Sequence, residues 1–180
     1  MNELFTETGT TRIAACTIGG EGTRRERERR AATHLASSLT GREVAISHDA
    51  SGAPRVDGDS IHISISHSAH TAAVAVDSSH RIGIDAEDVR GRQLRRVAAR
   101  VLSSAELAEY GCDDVWLTRA WTLKEALYKA AGVAGADWHT DLRLPSTKDG
   151  RRAYACGREY EVVYAGEFDG TLITVVREAD

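Results

Sequence analysis

The chain has 180 residues, of which 42% are hydrophobic, and a formal net charge of −4 at pH 7. This composition supports one domain, or two small packed halves, around a buried core, so a disordered chain is not expected. The negative charge argues against nucleic acid or an anionic membrane as the main partner, because both bind basic surfaces. The sequence has no apolar run of about 18 residues and no signal-peptide pattern at its start, so we expect a cytoplasmic protein.

Cysteine and lysine are scarce in this sequence. The three cysteines, Cys16, Cys112 and Cys156, are an odd number at wide spacings, which favours free thiols in a reducing compartment over a disulfide framework or a zinc site. Of the 23 basic residues only three are lysines, and two of these, Lys124 and Lys129, lie five residues apart. Because the chain otherwise uses arginine, this pair indicates a place where a compact ammonium group is needed.

The predicted elements, taken in chain order, mix strands and helices without a regular strand-helix-strand rhythm. The first helix has Thr23 as its predicted N-cap, and Gly132 and Gly135 end the longest one. This order favours an α+β fold with antiparallel sheet over a doubly wound α/β fold. From the spacing of apolar residues, strands are predicted at 12–18, 61–65, 71–77, 81–87, 142–144, 152–156, 159–164 and 171–177, and helices at 23–39, 92–100, 104–110 and 113–131.

Two acidic residues lie on the strand predicted at 81–87. Asp85 and Glu87 are two residues apart in the segment GIDAE, so both carboxylates project from one face of the strand. Carboxylate oxygens arranged in this way suit Mg²⁺, and Gly83 on the same face leaves room for a bulky polyanion. The alternative is a solvent-facing strand end with two ordinary acids, and for this motif alone that alternative is favoured.

The helix predicted at 113–131 carries an acid and a base on one stripe. Trp121, Glu125 and Lys129 follow a spacing of four residues, with Lys124 beside the stripe. The alternative is an ordinary ion pair on a helix surface, worth a few tenths of a kcal/mol, and taken alone it is favoured. The buried face of this helix is predicted to consist of Leu123, Leu127 and Ala130 or Ala131.

The segment ISHS, residues 65–68, ends a predicted strand with groups that can bind phosphate oxygens. A serine hydrolase site is disfavoured, because Ser66 and His67 are neighbours on an extended chain, face opposite ways and lack the G-x-S-x-G turn. A metal pair of His67 and His70 is also disfavoured, because no cysteine ligand is placed to complete it. A structural histidine remains the alternative to a phosphate site.

Together these three segments resemble the surfactin-type 4′-phosphopantetheinyl transferases, in the subgroup with a W-KEA motif. The family pattern of a serine-histidine-serine strand, then G-I/V-D-x-E, then W-x-x-K-E-A-x-x-K-x-x-G, is matched by ISHS at 65–68, GIDAE at 83–87 and WTLKEALYKAAG at 121–132. A further family element, a helix start with a glutamate, is similar to VLSSAE at 101–106. The resemblance covers residues 24–177, and the motifs together are far more specific than any one of them.

The resemblance implies an enzyme that transfers the 4′-phosphopantetheine group of coenzyme A to a serine of an acyl or peptidyl carrier protein, with 3′,5′-adenosine bisphosphate as the leaving group. Mg²⁺ is the implied cofactor, and the carrier protein is implied to dock on exposed apolar residues around helices 100–118. The implied metal ligands are Asp85, Glu87 and Glu125, and the implied general base is Glu106, with Glu125 and Lys129 also catalytic. The implied coenzyme A contacts are Ser66, His67, Lys124 and Lys129, together with one or more of Arg24, Arg25, Arg27 and Arg30 for the 3′-phosphate.

The family also implies an architecture of two similar halves related by a pseudo-twofold axis, here residues 1–78 and 79–180, with coenzyme A in the cleft between them. The shorter holo-carrier synthases place the G-x-D strand at the N-terminus and form trimers, whereas about 80 residues precede Gly83 here, so we expect a monomer. Two other classes stay open: a non-catalytic relative that binds coenzyme A or a carrier protein, and a Mg²⁺-dependent phosphohydrolase. Whether the carrier serves fatty-acid, polyketide or nonribosomal-peptide synthesis is not specified by the sequence.

One segment departs from the family pattern. Members commonly have G-K-P or G-R-P before the serine-histidine strand, whereas this chain has Gly52, Ala53 and Pro54. A basic side chain near the coenzyme A nucleotide is therefore missing. Arg55 replaces it only if the turn is rearranged, because neighbouring side chains on an extended stretch face opposite ways. This departure implies weaker binding of coenzyme A.

Overall fold

The computed structural model describes residues 2–180, and its mixture of helices and antiparallel strands confirms the predicted α+β class. The helix predicted at 92–100 is instead two short helices, because the amides of Arg96 and Val97 bond to carbonyls three residues back and close the first of them. The helices are α1 (Arg24–Thr40), α2 (Gly91–Arg95), α3 (Ala98–Val101), α4 (Ser104–Tyr110) and α5 (Asp114–Ala131). The strands are β1 (Glu3–Thr8), β2 (Thr11–Thr17), β3 (Ile46–His48), β4 (Pro54–Val56), β5 (His62–His67), β6 (Thr71–Asp77), β7 (Ile82–Asp88), β8 (Leu142–Arg143), β9 (Arg152–Ala155), β10 (Arg158–Phe168) and β11 (Thr171–Glu178).

The strands form two sheets and a separate hairpin. Four strands form the first sheet in the order β1-β2-β6-β5, and five form the second in the order β7-β11-β10-β9-β8. Strands β3 and β4 pair only with each other. The sequence pattern misses β1, because this strand lies at the edge of its sheet and most of its side chains are exposed, so no run of buried apolar residues marks it.

Three apolar clusters separate the layers of the fold. One lies between the two sheets and includes Ile13 and Ala75 of the first sheet with Ile84 and Val175 of the second. A second cluster lies between α1 and the first sheet, and a third between α5 and the second sheet. The layers therefore run helix, sheet, sheet, helix. Strand β6 is buried along its whole length, which explains its continuous apolar sequence.

The two sheets are joined where the edge strand β5 lies beside the edge strand β7. Serine side chains make this connection: Ser64 Oγ accepts a hydrogen bond from the amide of Ile84 at 3.1 Å, and Ser66 Oγ accepts one from the amide of Ala86 at 3.3 Å. Both serines are buried. The alternating sequence predicts a half-buried strand with these serines on its polar face, and that prediction is wrong because the second sheet covers them.

Local signals fix the ends of the two long helices. Thr23 caps α1 through a capping box with Glu26, and Gly41 ends that helix at a φ of 71°. Asp113 caps α5, and Gly132 ends it at a φ of 63°. The predicted start of α1 and the predicted end of α5 are thereby confirmed.

Gly83 allows α5 to lie close against β7. A Cβ atom at this position would overlap the carbonyl oxygen of Ala126 and lie 2.9 Å from the amide nitrogen of Ala130. The sequence pattern predicts that Gly83 leaves the carboxylate face open for a polyanion, and that prediction is wrong because α5 covers the face at this point. The close approach instead brings Lys129 of α5 within 3.0 Å of the Ile84 carbonyl oxygen on β7.

Gly83→Ala is expected to lower the free energy of unfolding by about 1–3 kcal/mol, because the added methyl group must displace α5 from β7. Equilibrium unfolding in urea measures the loss. Gly19→Ala serves as the control, since a Cβ atom at Gly19 would have no neighbour within 4 Å. Equal stability of the two variants would contradict the close packing of helix on strand.

Two further properties of the chain are the state of its thiols and the apolarity of its helices. All three cysteines are free, as predicted. Cys16 is the buried one, and its burial raises the pKa of its thiol. Across residues 2–180, no helix has both the length and the apolarity that a membrane crossing requires.

Candidate active site

Three elements meet where the two sheets join: β5 contributes Ser66, β7 contributes Asp85 and α5 contributes Lys129. Asp85 Oδ1 accepts hydrogen bonds from Ser66 Oγ and from Lys129 Nζ, both at 2.8 Å. Lys129 Nζ also lies 3.2 Å from Ser66 Oγ. The structure thus brings three of the residues predicted for the site into direct contact, although they are far apart in the sequence.

Asp85 has one oxygen that no protein group satisfies. The residue is 4% exposed, and its Oδ2 is buried without a hydrogen-bond partner in residues 2–180. Burial of such an oxygen without a hydrogen bond lowers the stability of the fold, and a bound ion or a catalytic role commonly explains it. Glu125 lies close enough to interact, since burial and then the charge of Asp85 raise the pKa of the Glu125 carboxyl. A cation bound by the two carboxylates would satisfy the free Asp85 oxygen and offset the repulsion between Asp85 and Glu125.

Glu87, the third predicted metal ligand, is turned toward Arg90. Its carboxylate forms an ion pair with the guanidinium of that residue, three positions along the chain. Within the described residues, no group of three or more His, Cys, Asp or Glu side chains is arranged to hold a metal ion. Asp85 and Glu125 fit a divalent cation by their charge, their burial and the free Asp85 Oδ2. Glu87 completes a set of three carboxylates only if it leaves Arg90.

A cleft opens beside this cluster, between β5, the β3–β4 hairpin and the end of α5. Its volume is about 480 Å³, and Ser66, His67 and Lys129 are among its lining residues. A second lobe of about 330 Å³ adjoins it and shares Ala53 and Lys129 with the first. The two lobes together have the size of a cofactor pocket. Further titratable side chains on the second lobe are Arg55, His62 and Arg81, together with one carboxylate, Asp49.

Arg24 and His67 are held together by Glu28, a glutamate that the sequence motifs do not single out. Glu28 Oε1 lies 2.6 Å from Arg24 Nε, and Glu28 Oε2 lies 3.0 Å from His67 Nε2. Arg30 donates a hydrogen bond to the carbonyl oxygen of Glu21, in the glycine-rich loop before α1. The structure therefore groups Arg24 with a residue of the cleft, while Arg30 is engaged by its own loop.

Glu106 and Lys124 pair with each other in the interior. Lys124 Nζ lies 3.0 Å from Glu106 Oε2, and the two side chains are 0% and 10% exposed. Glu106 also accepts hydrogen bonds from the amides of Ser103 and Leu144, each at 2.8 Å. Lys124 donates to two carbonyl oxygens of the segment after α5, and its burial lowers the pKa of the ammonium, an effect that Glu106 opposes. Neither side chain lines the cleft in this structure.

Part of the second sheet and its helices matches the model of a known protein family. Residues 81–167 match the family model ACPS, the 4′-phosphopantetheinyl transferase superfamily. The match supports the superfamily for this part of the chain, and phosphopantetheinyl transfer as the general class of reaction. The matched segment includes Asp85, Glu125 and Lys129, whereas Ser66 lies before it. No curated protein matches the chain.

Two residues outside the phosphopantetheinyl transferase motifs contact the predicted site residues. Glu28 joins Arg24 to His67, and Arg90 neutralises Glu87. The spacing of Glu28 from Arg24, four residues on a helix, is a signal that identifies such a pair from the sequence. Its contact with His67 has no such signal, because it depends on how α1 packs on the first sheet.

Proposed function

We propose that the chain is a surfactin-type phosphopantetheinyl transferase, which moves the 4′-phosphopantetheine group of coenzyme A to a serine of an acyl or peptidyl carrier protein. The observation that carries this proposal is the contact of Asp85 with Lys129 and Ser66 beside a cleft of cofactor size. A free carboxylate oxygen, an ammonium and a hydroxyl at one point suit a polyanion together with its metal ion. The superfamily match supports the same class of reaction.

Mg²⁺ is the proposed cofactor, with Asp85 Oδ2 and Glu125 as ligands and Glu87 as a third once it leaves Arg90. When bound, the ion would neutralise charge on the pyrophosphate oxygens of coenzyme A. The free Oδ2 and the unfavourable proximity of Asp85 and Glu125 support this assignment. Lys129 already offsets part of the negative charge through its bond to Asp85.

In the proposed reaction, the carrier serine oxygen forms a bond to the phosphorus next to the pantetheine arm, and the bond from that phosphorus to the bridging oxygen breaks. The leaving group is 3′,5′-adenosine bisphosphate, and the serine proton passes to a base. The ammonium of Lys129 stabilises the charge that builds on the phosphate oxygens, more strongly in the transition state than in the ground state. Arg24 and His67 are proposed to bind the phosphates of coenzyme A, and Arg30 is proposed to join them once it leaves the carbonyl oxygen of Glu21.

Glu106 and Lys124 are proposed to position the site. Their ion pair and the bond from the amide of Leu144 tie α4, α5 and β8 together. A carboxylate that already accepts these bonds has little capacity left for a substrate proton, so these contacts favour a positioning role over the role of general base.

The proposed architecture is a monomer of two similar halves, residues 1–78 and 79–180, related by a pseudo-twofold axis. In support, the first sheet and α1 come from the first half, and the second sheet and α5 from the second. Each half places a long helix on the outer face of its sheet. The joint between β5 and β7, where Ser66 meets Asp85, lies between these halves.

The carrier protein is proposed to dock near α4 and the start of α5. Leu107 and Val115 are exposed apolar side chains on these helices. An acidic carrier helix would also meet positive charge nearby, and such complementarity speeds association. The exposed arginines on and beside α2 and α3 are Arg92, Arg95, Arg96 and Arg100.

Mass spectrometry of an apo carrier protein, after incubation with the chain, coenzyme A and Mg²⁺, tests the proposal against its two rivals. A mass gain on the carrier equal to one phosphopantetheine group indicates transfer. An unchanged carrier with intact coenzyme A indicates a binding relative. Degraded coenzyme A without a mass gain indicates a phosphohydrolase, and either of the last two results contradicts the proposal.

Lys129→Ala is expected to lower the transfer rate by about 10²–10³-fold, because it removes a charged donor from the reacting phosphates. Lys129→Arg is expected to restore only part of the rate. The ammonium fits between Ser66 Oγ, the Ile84 carbonyl oxygen and Asp85 Oδ1, and the planar guanidinium is too large for this position. Steady-state kinetics of both variants test this, and full rescue by arginine would show that only positive charge is needed.

Ala53→Lys is expected to tighten the binding of coenzyme A by about five- to thirtyfold, since a partly exposed phosphate contact is worth about 1–2 kcal/mol. Ala53 is exposed and lines both lobes of the cleft. Arg55 does not fill this role freely, because its Nη2 lies 3.0 Å from Asp49 Oδ2. Hydrogen bonds from Ser51 and Arg55 hold the pKa of Asp49 well below its usual range, so that partner stays charged.

Titration calorimetry with coenzyme A and with dephospho-coenzyme A locates the contact made by the new lysine. Tightening of coenzyme A alone assigns it to the 3′-phosphate, and equal tightening of both donors assigns it to the pyrophosphate or the adenine. Ala53→Met is the matched control, because it adds length without charge. Unchanged affinity of Ala53→Lys for both donors would show that another basic residue already fills the role.

A further inference from the structure

A second cleft, with a volume of about 370 Å³, lies between the first half of α5, β10 and the loop before β9. It shares no lining residue with the cleft of the proposed active site. Its walls carry three cations, Arg119, Lys148 and Arg151, against one carboxylate, Asp149. A cleft with this balance of charge stands out in a chain whose net charge is −4.

The three cations of this cleft form no direct ion pair in residues 2–180, although the charges of Glu109 and Asp113 add to the rise in the pKa of Lys148 that its hydrogen bond to Cys112 causes. Arg152, the neighbour of Arg151, pairs with Glu159 at 3.1 Å. The lack of ion pairs is therefore a feature of the cleft and not of this region of the chain as a whole.

Neutral acceptors hold the guanidinium of Arg119 in place. Its Nη1 donates hydrogen bonds to the carbonyl oxygens of Gly166 and Ile173, at 3.0 and 2.9 Å. Its Nε and Nη2 make no hydrogen bond to residues 2–180, while Nη1 fixes the guanidinium that carries them. Burial lowers the pKa of Arg119, so a bound anion would offset an existing cost.

The other two cations lie on the loop before β9 and are also held in place. Arg151 Nη1 donates to the carbonyl oxygen of Val162 at 3.2 Å. Lys148 Nζ lies 5.1 Å from the centroid of the Trp116 ring and 3.0 Å from Cys112 Sγ. Each of these two cations is thus held directly by an uncharged partner, Arg151 by a carbonyl oxygen and Lys148 by a ring and a thiol.

We propose that this cleft is a binding site for a phosphate-class anion, distinct from the proposed active site. Three positive groups on one cleft, one from α5 and two from the loop before β9, suit a tetrahedral anion with more than one negative charge better than a single carboxylate. The anion would accept hydrogen bonds from Nε and Nη2 of Arg119 and neutralise the charges of Lys148 and Arg151. The ligand is inorganic phosphate or the phosphate group of a small molecule.

The test follows the indole N–H signal of Trp116 by NMR while inorganic phosphate is added to the full chain at constant ionic strength, with Trp116→Phe to assign the signal. We expect a saturable shift. The double variant Lys148→Gln with Arg151→Gln is expected to weaken phosphate binding by about tenfold or more, because each change removes a charge-assisted contact. No saturable shift, or unchanged affinity in the double variant, would overturn the proposal.

Two control variants and a second anion test whether the response is specific to this cleft and to phosphate. Arg152→Gln makes the same change of charge one residue away and is expected to leave the affinity unchanged. Lys129→Gln is also expected to leave the Trp116 response unchanged, so failure of the proposed active site and failure of this site are distinguishable. Acetate is expected to bind more weakly than phosphate, and equal affinity for the two anions would overturn the assignment to the phosphate class.

Discussion

Glu125→Gln is expected to lower the rate of phosphopantetheine transfer by about 10²–10³-fold or more, because the amide keeps the size of the side chain but removes the charge that the proposed Mg²⁺ requires. The fold is expected to remain, since burial and then repulsion from Asp85 raise the pKa of Glu125, and the change removes the charge that both disfavour. Initial rates at saturating Mg²⁺ measure the loss. A second measurement needs no substrate: Mg²⁺ is expected to raise the melting temperature of the unchanged chain, and the variant is expected to lose this response.

Glu43→Gln is the matched control for Glu125→Gln, because Glu43 is exposed and lies away from the cleft. It is expected to keep both the rate and the Mg²⁺ response. Asp85→Ala is expected to abolish transfer as well, but it also removes the partner of Ser66 and Lys129 and so costs stability. A normal rate in Glu125→Gln, or an unchanged response to Mg²⁺, would contradict the metal assignment.

Glu106→Ala is expected to lower the free energy of unfolding by about 3–5 kcal/mol, because it leaves the buried ammonium of Lys124 without its carboxylate. A loss of this size is a large fraction of the stability of an ordinary domain. The pair is buried, and the amides of Ser103 and Leu144 also lose their acceptor. Urea unfolding of Glu106→Ala, Lys124→Met and the double variant gives the coupling energy between the two side chains.

A further double variant, Glu106→Gln with Lys124→Met, separates a positioning role of Glu106 from the role of general base. If Glu106 positions the site, the double variant Glu106→Gln with Lys124→Met regains part of its stability and part of its transfer rate. If Glu106 is the base, the rate stays low in the double variant even where its stability is regained. The second outcome would support the role of general base, which the family resemblance implies for Glu106.

The long helices and the central strands are predictable from the sequence because their signals are local. The capping box of Thr23 with Glu26 and the left-handed Gly132 mark helix ends. The buried face predicted for α5 is also confirmed, since Leu123, Leu127, Ala130 and Ala131 are all buried.

Residues whose state depends on packing between elements are not predictable in the same way. Ser66 is buried only because the edge of the second sheet meets the edge of the first. Gly83 is needed for the approach of α5 and not for the approach of a ligand. Lys124 lies one position from Glu125 in the sequence, yet it points into the interior, where Glu106 and two carbonyl oxygens hold it. These contacts join residues that are far apart in the chain, so no local pattern records them.

The transfer reaction itself is tested most directly by mass analysis of a panel of apo carrier proteins, each incubated with coenzyme A, Mg²⁺ and either the unchanged chain or Glu125→Gln. The proposed function predicts that at least one carrier gains the mass of one phosphopantetheine group with the unchanged chain. The gain is expected to disappear with Glu125→Gln, and also when the acceptor serine of that carrier is replaced by alanine. A panel in which no carrier gains mass while the chain binds or degrades coenzyme A would contradict the proposed function.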